Sequence, residues 1–500
     1  MKRRYRFISL VLLSILFILP LGGCQRTPEV ETPTPTPTGT PTPDAKHGYR
    51  MALAYGEADR TLSGTITIDY ANTADVPLTE AFFSLFPNAY RKEETAPFFP
   101  EEMGWAYPNG FSAGGIDIPS VMVDGNTAAT RLEHADQTLL VVSLPHPLGV
   151  GERVSIAMEV TITLPNSLGR FGYGDRSINL CNFYPIACVY REGAFLAYPY
   201  YKAGDPFVSE VGTYDVTVTI PKEYVLAHSG NMIEKAEGET ATTYTLFGEN
   251  LRDFAMVLSK DFDVVTQQVG DVLVASYYYK EQPQEGKLAL QYSVNTLQFM
   301  EAKGMPYPFF TLSTVQTDFF IGGMEYPTLT LIDKSLYKGG IRSSFEEVVV
   351  HEAIHQWFYA AVGSNQVLEP FLDEGTTNYL TIKYFGHTYG EKQEKLMRDY
   401  NLTQAAELYE NYFTPKKEDT RVGSDMMRYD NFGVYNLAIY INGARMYYEL
   451  EEAIGEDALF ATLAQYYGEQ RFRIATRTDW EKIFMDAYGK VAQQIFDKWL

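Results

Sequence analysis

Between Tyr49 and about Tyr278 the chain alternates apolar with polar residues in short runs: "GTITIDYANT", "TLLVVSLPHP", "VSIAMEVTITLP", "YDVTVTIPKEY", "DFAMVLSKDFDVV" and "VLVASYYY". A period of two puts every second side chain on one face of a strand, and Gly, Pro and Asn break the runs where the chain must turn. The pattern predicts an N-terminal antiparallel β-domain, a sandwich or a saddle-shaped sheet. After about Lys280 the period lengthens. "GKLALQYSVNTLQFMEAKG", "SSFEEVVVHEAIHQWFYAAVG", "DEGTTNYLTIKYFG", "AIYINGARMYYELEEAIG" and "DALFATLAQYYGEQ" carry apolar residues at helical spacing. Two strand-like pieces, "FFTLSTVQTDF" and "PTLTLIDKSLY", lie among them. The second half is therefore expected to be an α+β domain in which helices predominate. No internal repeat of fixed period is visible.

Two stretches precede the β-domain. "MKRRYRFISLVLLSILFILPLGGC" has basic residues from Lys2 to Arg6, an apolar run too short for a comfortable membrane span, and small residues before Cys24, the layout of an export signal. "LGGC" resembles a bacterial lipobox, which would make Cys24 the lipidated first residue of the mature chain; a plain secretory signal is the alternative. One diacylglyceryl group brings two acyl chains, enough for stable anchoring. "TPEVETPTPTPTGTPTP", Thr27 to Pro43, cannot build a core. In an extended state of about 3.1 Å per residue it would hold the body about 50 Å from a membrane. The expected plan is a signal at 1–24, a linker at 25–46, a β-domain at 47–268 and the helical domain at 269–500.

Composition narrows the partners. With 500 residues, 45% hydrophobic and 14% aromatic, the chain can bury sizeable cores. Its 41 Lys and Arg against 63 Asp and Glu leave a net charge of −22, which repels phosphate backbones and makes nucleic acid an unsuitable partner. Cys181 and Cys188 are close enough in sequence to pair across a short loop, or to remain two buried thiols; spacing alone leaves both open.

The candidate chemistry lies in "VVVHEAIHQWF", Val348 to Phe358. Ser343 and Ser344 ahead of Glu346 and Glu347 form a capping-box pattern that starts a helix. On it His351 and His355, four residues apart, project from one face and can meet one metal ion. Glu352 lies about 100° round the helix, where it can accept a proton from a bound water without coordinating. A catalytic zinc needs a third protein ligand, and "FLDEGTTNYL" offers Glu374 on the next helical segment. The other histidines, His47, His134, His146, His228 and His387, have no ligand spacing.

HEAIHQWF and "FLDEG", with eighteen residues between His355 and Glu374, resemble the gluzincin signature of the aminopeptidase N and leukotriene hydrolase family of zinc metallopeptidases. The resemblance implies that one zinc ion is held by His351, His355 and Glu374, with Glu352 as general base. "IGGMEYP" is similar to the family's Gly-x-Met-Glu-Asn motif and implies that Glu325 receives a substrate's free α-amine. "IYINGARMYYEL" resembles the segment of the family's catalytic tyrosine, mapping it onto Tyr440, with Tyr435 in reserve. The β-rich part resembles the family's N-terminal domain and 269–500 its thermolysin-like zinc peptidase domain. Tyr326 stands where the motif usually has Asn. The sequence stops at Leu500, where the resemblance puts the end of the catalytic domain, so the helical C-terminal domain of larger members is expected to be missing. The expected function is a membrane-anchored, extracytoplasmic zinc aminopeptidase acting on peptides. The alternatives are an endopeptidase on the same scaffold and a catalytically weak surface binding lipoprotein.

Overall fold

The computed structural model describes residues 47–338, 342–413 and 420–500. Cys24, the signal stretch 1–24, the linker 25–46 and the Ser343 side chain of the capping-box pattern lie outside the described residues. Among the described residues, no helix is long and apolar enough to cross a membrane.

The first half is β-structure, as its alternation predicts. Its largest sheet has eight strands in the order Asn231–Glu237, Ala241–Leu251, Gly212–Pro221, His47–Gly56, Thr61–Ala71, Arg153–Thr163, Gly115–Val123 and Asn126–Thr127. Two four-stranded sheets and a two-stranded one, Tyr190–Arg191 with Ala194–Phe195, accompany it. Alternate residues such as Ile66, Ile68, Ile156 and Ile162 point inward and are fully buried, each contributing about 1.5–3 kcal/mol. One pairing departs from the antiparallel expectation: His47–Gly56 runs parallel to Gly212–Pro221. The long chain between these strands leaves their relative direction unconstrained, whereas hairpin partners such as Thr61–Ala71 must run antiparallel.

The second half carries a five-stranded sheet in the order Phe262–Val269, Val272–Tyr279, Thr311–Thr317, Leu329–Asp333 and Gly323–Met324. The boundary expected at 268/269 thus falls at the end of a strand that pairs within this sheet, through Phe262↔Tyr279 to Val269↔Val272. Its alternation looks like that of the preceding strands, so the pattern could not assign it. Helices Pro283–Ala302, Arg342–Ile354, Glu374–Tyr389, Asn442–Ile454 and Glu456–Gln470 form the rest of the core, with Trp480 packed among Phe371, Tyr447, Phe484 and Phe496.

The halves are joined by buried polar contacts. Arg252 of the β-half donates from Nε to the Tyr359 carbonyl (2.9 Å), from Nη2 to that of Arg473 (3.0 Å), and from Nη1 to that of Ser209. One guanidinium thus closes the turn after the His351–His355 segment onto the β-half, and its fixed fork suits several carbonyls at once. Cys181 and Cys188 are buried free thiols; Cys188 lies 3.5 Å from the Ser84 hydroxyl.

Candidate active site

Helix Arg342–Ile354 packs into the core through Phe345, Val349, Val350, Ala353 and Ile354, the last four fully buried. His355 follows the last regular helical residue, yet its N–H still reaches the His351 carbonyl at 3.3 Å, so the four-residue spacing keeps both rings on one side. Their Nε2 atoms are 3.1 Å apart. Glu374 Oε2 stands 3.3 Å from His351 Nε2 and 3.2 Å from His355 Nε2. Donors bound about 2.0–2.1 Å from a tetrahedral zinc lie about 3.3 Å from one another, so the three atoms match one face of that tetrahedron.

The surroundings hold each donor in place. His355 Nδ1 is 2.6 Å from Asp373 Oδ1 and 3.0 Å from the Phe358 carbonyl, which puts the ring proton there and leaves Nε2 free to coordinate. Glu325, His355 and Asp373 also come within 4.8 Å of one another. Asp373, however, accepts from His355 with one oxygen and from Gln366 with the other, and so serves as an orienting group. Glu374 is the first residue of its helix, where the dipole favours a negative charge. Burial alone would raise its carboxyl, but His355 and His351 hold it well below the usual carboxylate range.

Tyr440 joins the group from the opposite helix, donating to Glu374 Oε1 at 2.5 Å with its ring stacked beside His351. It sits in a π-helical turn, Asn436–Ile441, within the helical run from Phe432 to Ile454, a distortion frequent at functional sites. Gly375 and Gly443 let the two helices meet: a Cβ on Gly443 would come 2.7 Å from the Gly375 Cα. Tyr435 is only 1% exposed and packs edge-on against Tyr440, so it supports the ring and Tyr440 faces the site.

Glu352 lies against the edge strand Gly323–Met324, with its Oε1 2.1 Å from where a Cβ on Gly323 would sit. Burial pushes its carboxyl well above the usual range. Glu325 follows that strand directly. It is 3% exposed, and its Oε1 has no hydrogen-bond partner among the described residues. Burial, then neighbouring Asp205, raises it well above the usual carboxylate range. Asp205 comes from the β-half and pairs with Arg170, whose Nε contacts Met324 Sδ at 3.1 Å. Acidic groups therefore converge where a cationic group can be received.

All six residues singled out in the second half, Glu325, His351, Glu352, His355, Glu374 and Tyr440, come together here. Sequence reasoning missed Asp373, although a carboxylate beside a ligand is a signal that could have been used. It also missed Arg170 and Asp205, for which no spacing gives a clue.

Residues 288–499 match the profile of the Peptidase family M1 domain. Most of the second half of the chain is thus similar to that domain. Leukotriene A-4 hydrolase of Xenopus laevis is 28% identical over 208 residues, which cover 40% of this chain. The match spans 33% of that relative, so the chain covers about a third of its length. Among solved structures, the M1 zinc metallopeptidase from Deinococcus radiodurans aligns with a TM-score of 0.60 and 17% identity, over 91% of this chain and 93% of that one. A mutant of it bound to a Tyr-Ser-Ala substrate aligns with a TM-score of 0.59 and 16% identity, over 91% and 93%. These neighbours share the two-part fold of this chain, a β-rich part followed by a mainly helical one.

Proposed function

We propose that this protein is a member of peptidase family M1, a zinc-dependent aminopeptidase that trims peptides from their N-termini, exported and anchored to the outer side of a membrane through lipid on Cys24. The observation that carries the reading is the buried Glu325 oxygen without a partner beside the three-donor triangle. A buried carboxylate is costly until a cation meets it, and the α-ammonium of a peptide brings that charge together with the first peptide bond. The peptide-bound solved neighbour supports a peptide substrate.

Two imidazole nitrogens and one carboxylate at this spacing fit zinc. A zinc ion held by His351, His355 and Glu374 supplies Lewis acidity that acidifies water and polarises a carbonyl. Glu352 takes the water's proton on its carboxylate and returns it to the leaving amine, and the burial that strengthens its hold on a proton favours the first of these transfers. The Tyr440 phenol, pushed well above its ordinary range by burial, stays protonated and donates to the developing oxyanion. Glu325 fixes the N-terminus, so that one residue is removed per event.

The test compares aminoacyl-4-nitroanilides with N-acetylated counterparts, with and without chelator. Free-amine substrates should be cleaved about 10² faster, the order expected for losing a charged hydrogen bond to a buried partner. Chelator should abolish turnover and zinc restore it. Equal rates on both substrates would point to the endopeptidase. For the anchor, Cys24→Ser should move the protein to the soluble fraction, and retention on membranes would contradict it.

A further inference from the structure

We infer that the Tyr326 hydroxyl is a positioning group, through which the β-domain holds Glu325 at the point where a substrate's α-ammonium docks; this rests on the aminopeptidase reading. Glu325 is held by its backbone, because its Oε1 has no side-chain partner. The loop that follows it is fastened at three places. Tyr326, fully buried, donates to Asn182 Oδ1 of the β-half at 2.6 Å. Gln356, next to His355, donates from Nε2 to the carbonyls of Glu325 (3.3 Å) and Tyr326 (3.2 Å), and accepts from Thr328 N at 2.6 Å. Thr328 Oγ1 accepts from Gly230 N at 2.7 Å.

Thr328 shows that the loop is held against its own preference. Its φ is +63°, a left-handed conformation that a β-branched residue rarely adopts. Such strain persists only where the surroundings over-determine it, as these three fastenings do.

The Tyr326 bond is anchored well behind the site. Asn182 Nδ2 donates to Asp253 Oδ2 at 2.5 Å, and Asp253 Oδ1 accepts from Tyr184 at 2.8 Å and from Phe254 N at 2.6 Å. Asn182 has one acceptor and is turned so that it faces Tyr326, because Asp253 takes its amide. A fully satisfied buried chain of this kind sets one geometry. An Asn at 326 is too short to make the Asn182 contact from the same backbone position, so Tyr326 performs a task that the usual Asn of the motif cannot.

The test is steady-state kinetics of zinc-loaded Tyr326→Phe, which loses only the hydroxyl, on free-amine and N-acetylated substrates. The expected result is a KM for free-amine substrates raised about tenfold, the scale of one buried hydrogen bond. kcat should stay within about threefold, zinc content should be full, and the ratio of free-amine to acetylated cleavage should fall. Asn182→Ala removes the acceptor of the same bond, together with the bond to Asp253, and should shift KM and the substrate ratio in the same direction; the double variant should be no worse than Asn182→Ala alone. If Tyr326→Phe does not fold, Asn182→Ala carries the comparison alone. An unchanged substrate ratio in a folded variant, or equal losses in kcat on both substrates, would overturn the positioning role. If the unmodified protein already fails to prefer free amines, the aminopeptidase reading falls, which is a distinguishable outcome.

Discussion

Replacing Asp373 with Asn removes a charge from behind His355, a proposed zinc ligand, without changing the shape of the side chain. His355 Nδ1 has three neighbouring oxygens: Asp373 Oδ1 at 2.6 Å, the Phe358 carbonyl at 3.0 Å and Thr377 Oγ1 at 3.2 Å. An Asn amide would bring one donor to a place where both existing neighbours, His355 and Gln366, already donate. Gln366 resolves the conflict, because its Oε1 has no partner among the described residues and a flip presents it to the new NH2. The substitution therefore isolates the charge. With the Phe358 carbonyl still accepting from the ring, the imidazole keeps its tautomer but loses basicity, and zinc should bind about 10–100-fold more weakly, or about 1.4–2.8 kcal/mol. Competition against a chromophoric chelator reads this directly, and thermal melting in the absence of zinc checks that the fold is intact. An affinity within twofold of the unmodified protein would refute the orienting role. Complete loss of binding would make Asp373 a ligand and refute the donor triangle.

Other substitutions separate the remaining roles. Glu352→Gln should retain zinc while kcat falls by about 10² or more, the usual scale of general base catalysis; retained turnover would remove Glu352 from the proton path. Tyr440→Phe should lower kcat by about 10²–10³ with KM little changed, as for loss of an oxyanion donor, and a KM effect alone would contradict that role. Burial pushes His228 down to about 4, so the native state resists protonation that the unfolded chain accepts from about pH 6.5. That contribution is present above pH 6.5 and is lost as pH falls toward 4, by up to about 3 kcal/mol. His228→Gln should flatten urea-denaturation stability over this range, and an unchanged pH slope would count against a buried neutral imidazole.

The donor triangle of His351, His355 and Glu374 was legible because each member is encoded locally. His351 and His355 need only one helical turn, and Glu374 needs only a loop and a returning helix. A role for Tyr440 was suggested by resemblance, but its contact with Glu374 was not visible: it depends on Gly375 meeting Gly443 and on a π-helical turn, neither of which has a periodic signature. Asp205, Arg170 and Asn182 reach the site by tertiary folding from the β-half, at separations no motif spans. The alternating strands announced the β-half, yet alternation carries no pairing information. It could not show that His47–Gly56 pairs in parallel, nor that Phe262–Val269 belongs to the second sheet.

The central claim is that a buried Glu325 carboxylate beside a zinc site reads a free N-terminus. Mass spectrometry of products from one linear peptide, offered to the zinc-loaded protein both unblocked and N-acetylated, tests it most directly. The account predicts a ladder of products from the unblocked peptide, each one residue shorter at the N-terminus, with the acetylated peptide left intact. Internal fragments appearing at the same rate from both peptides would contradict it.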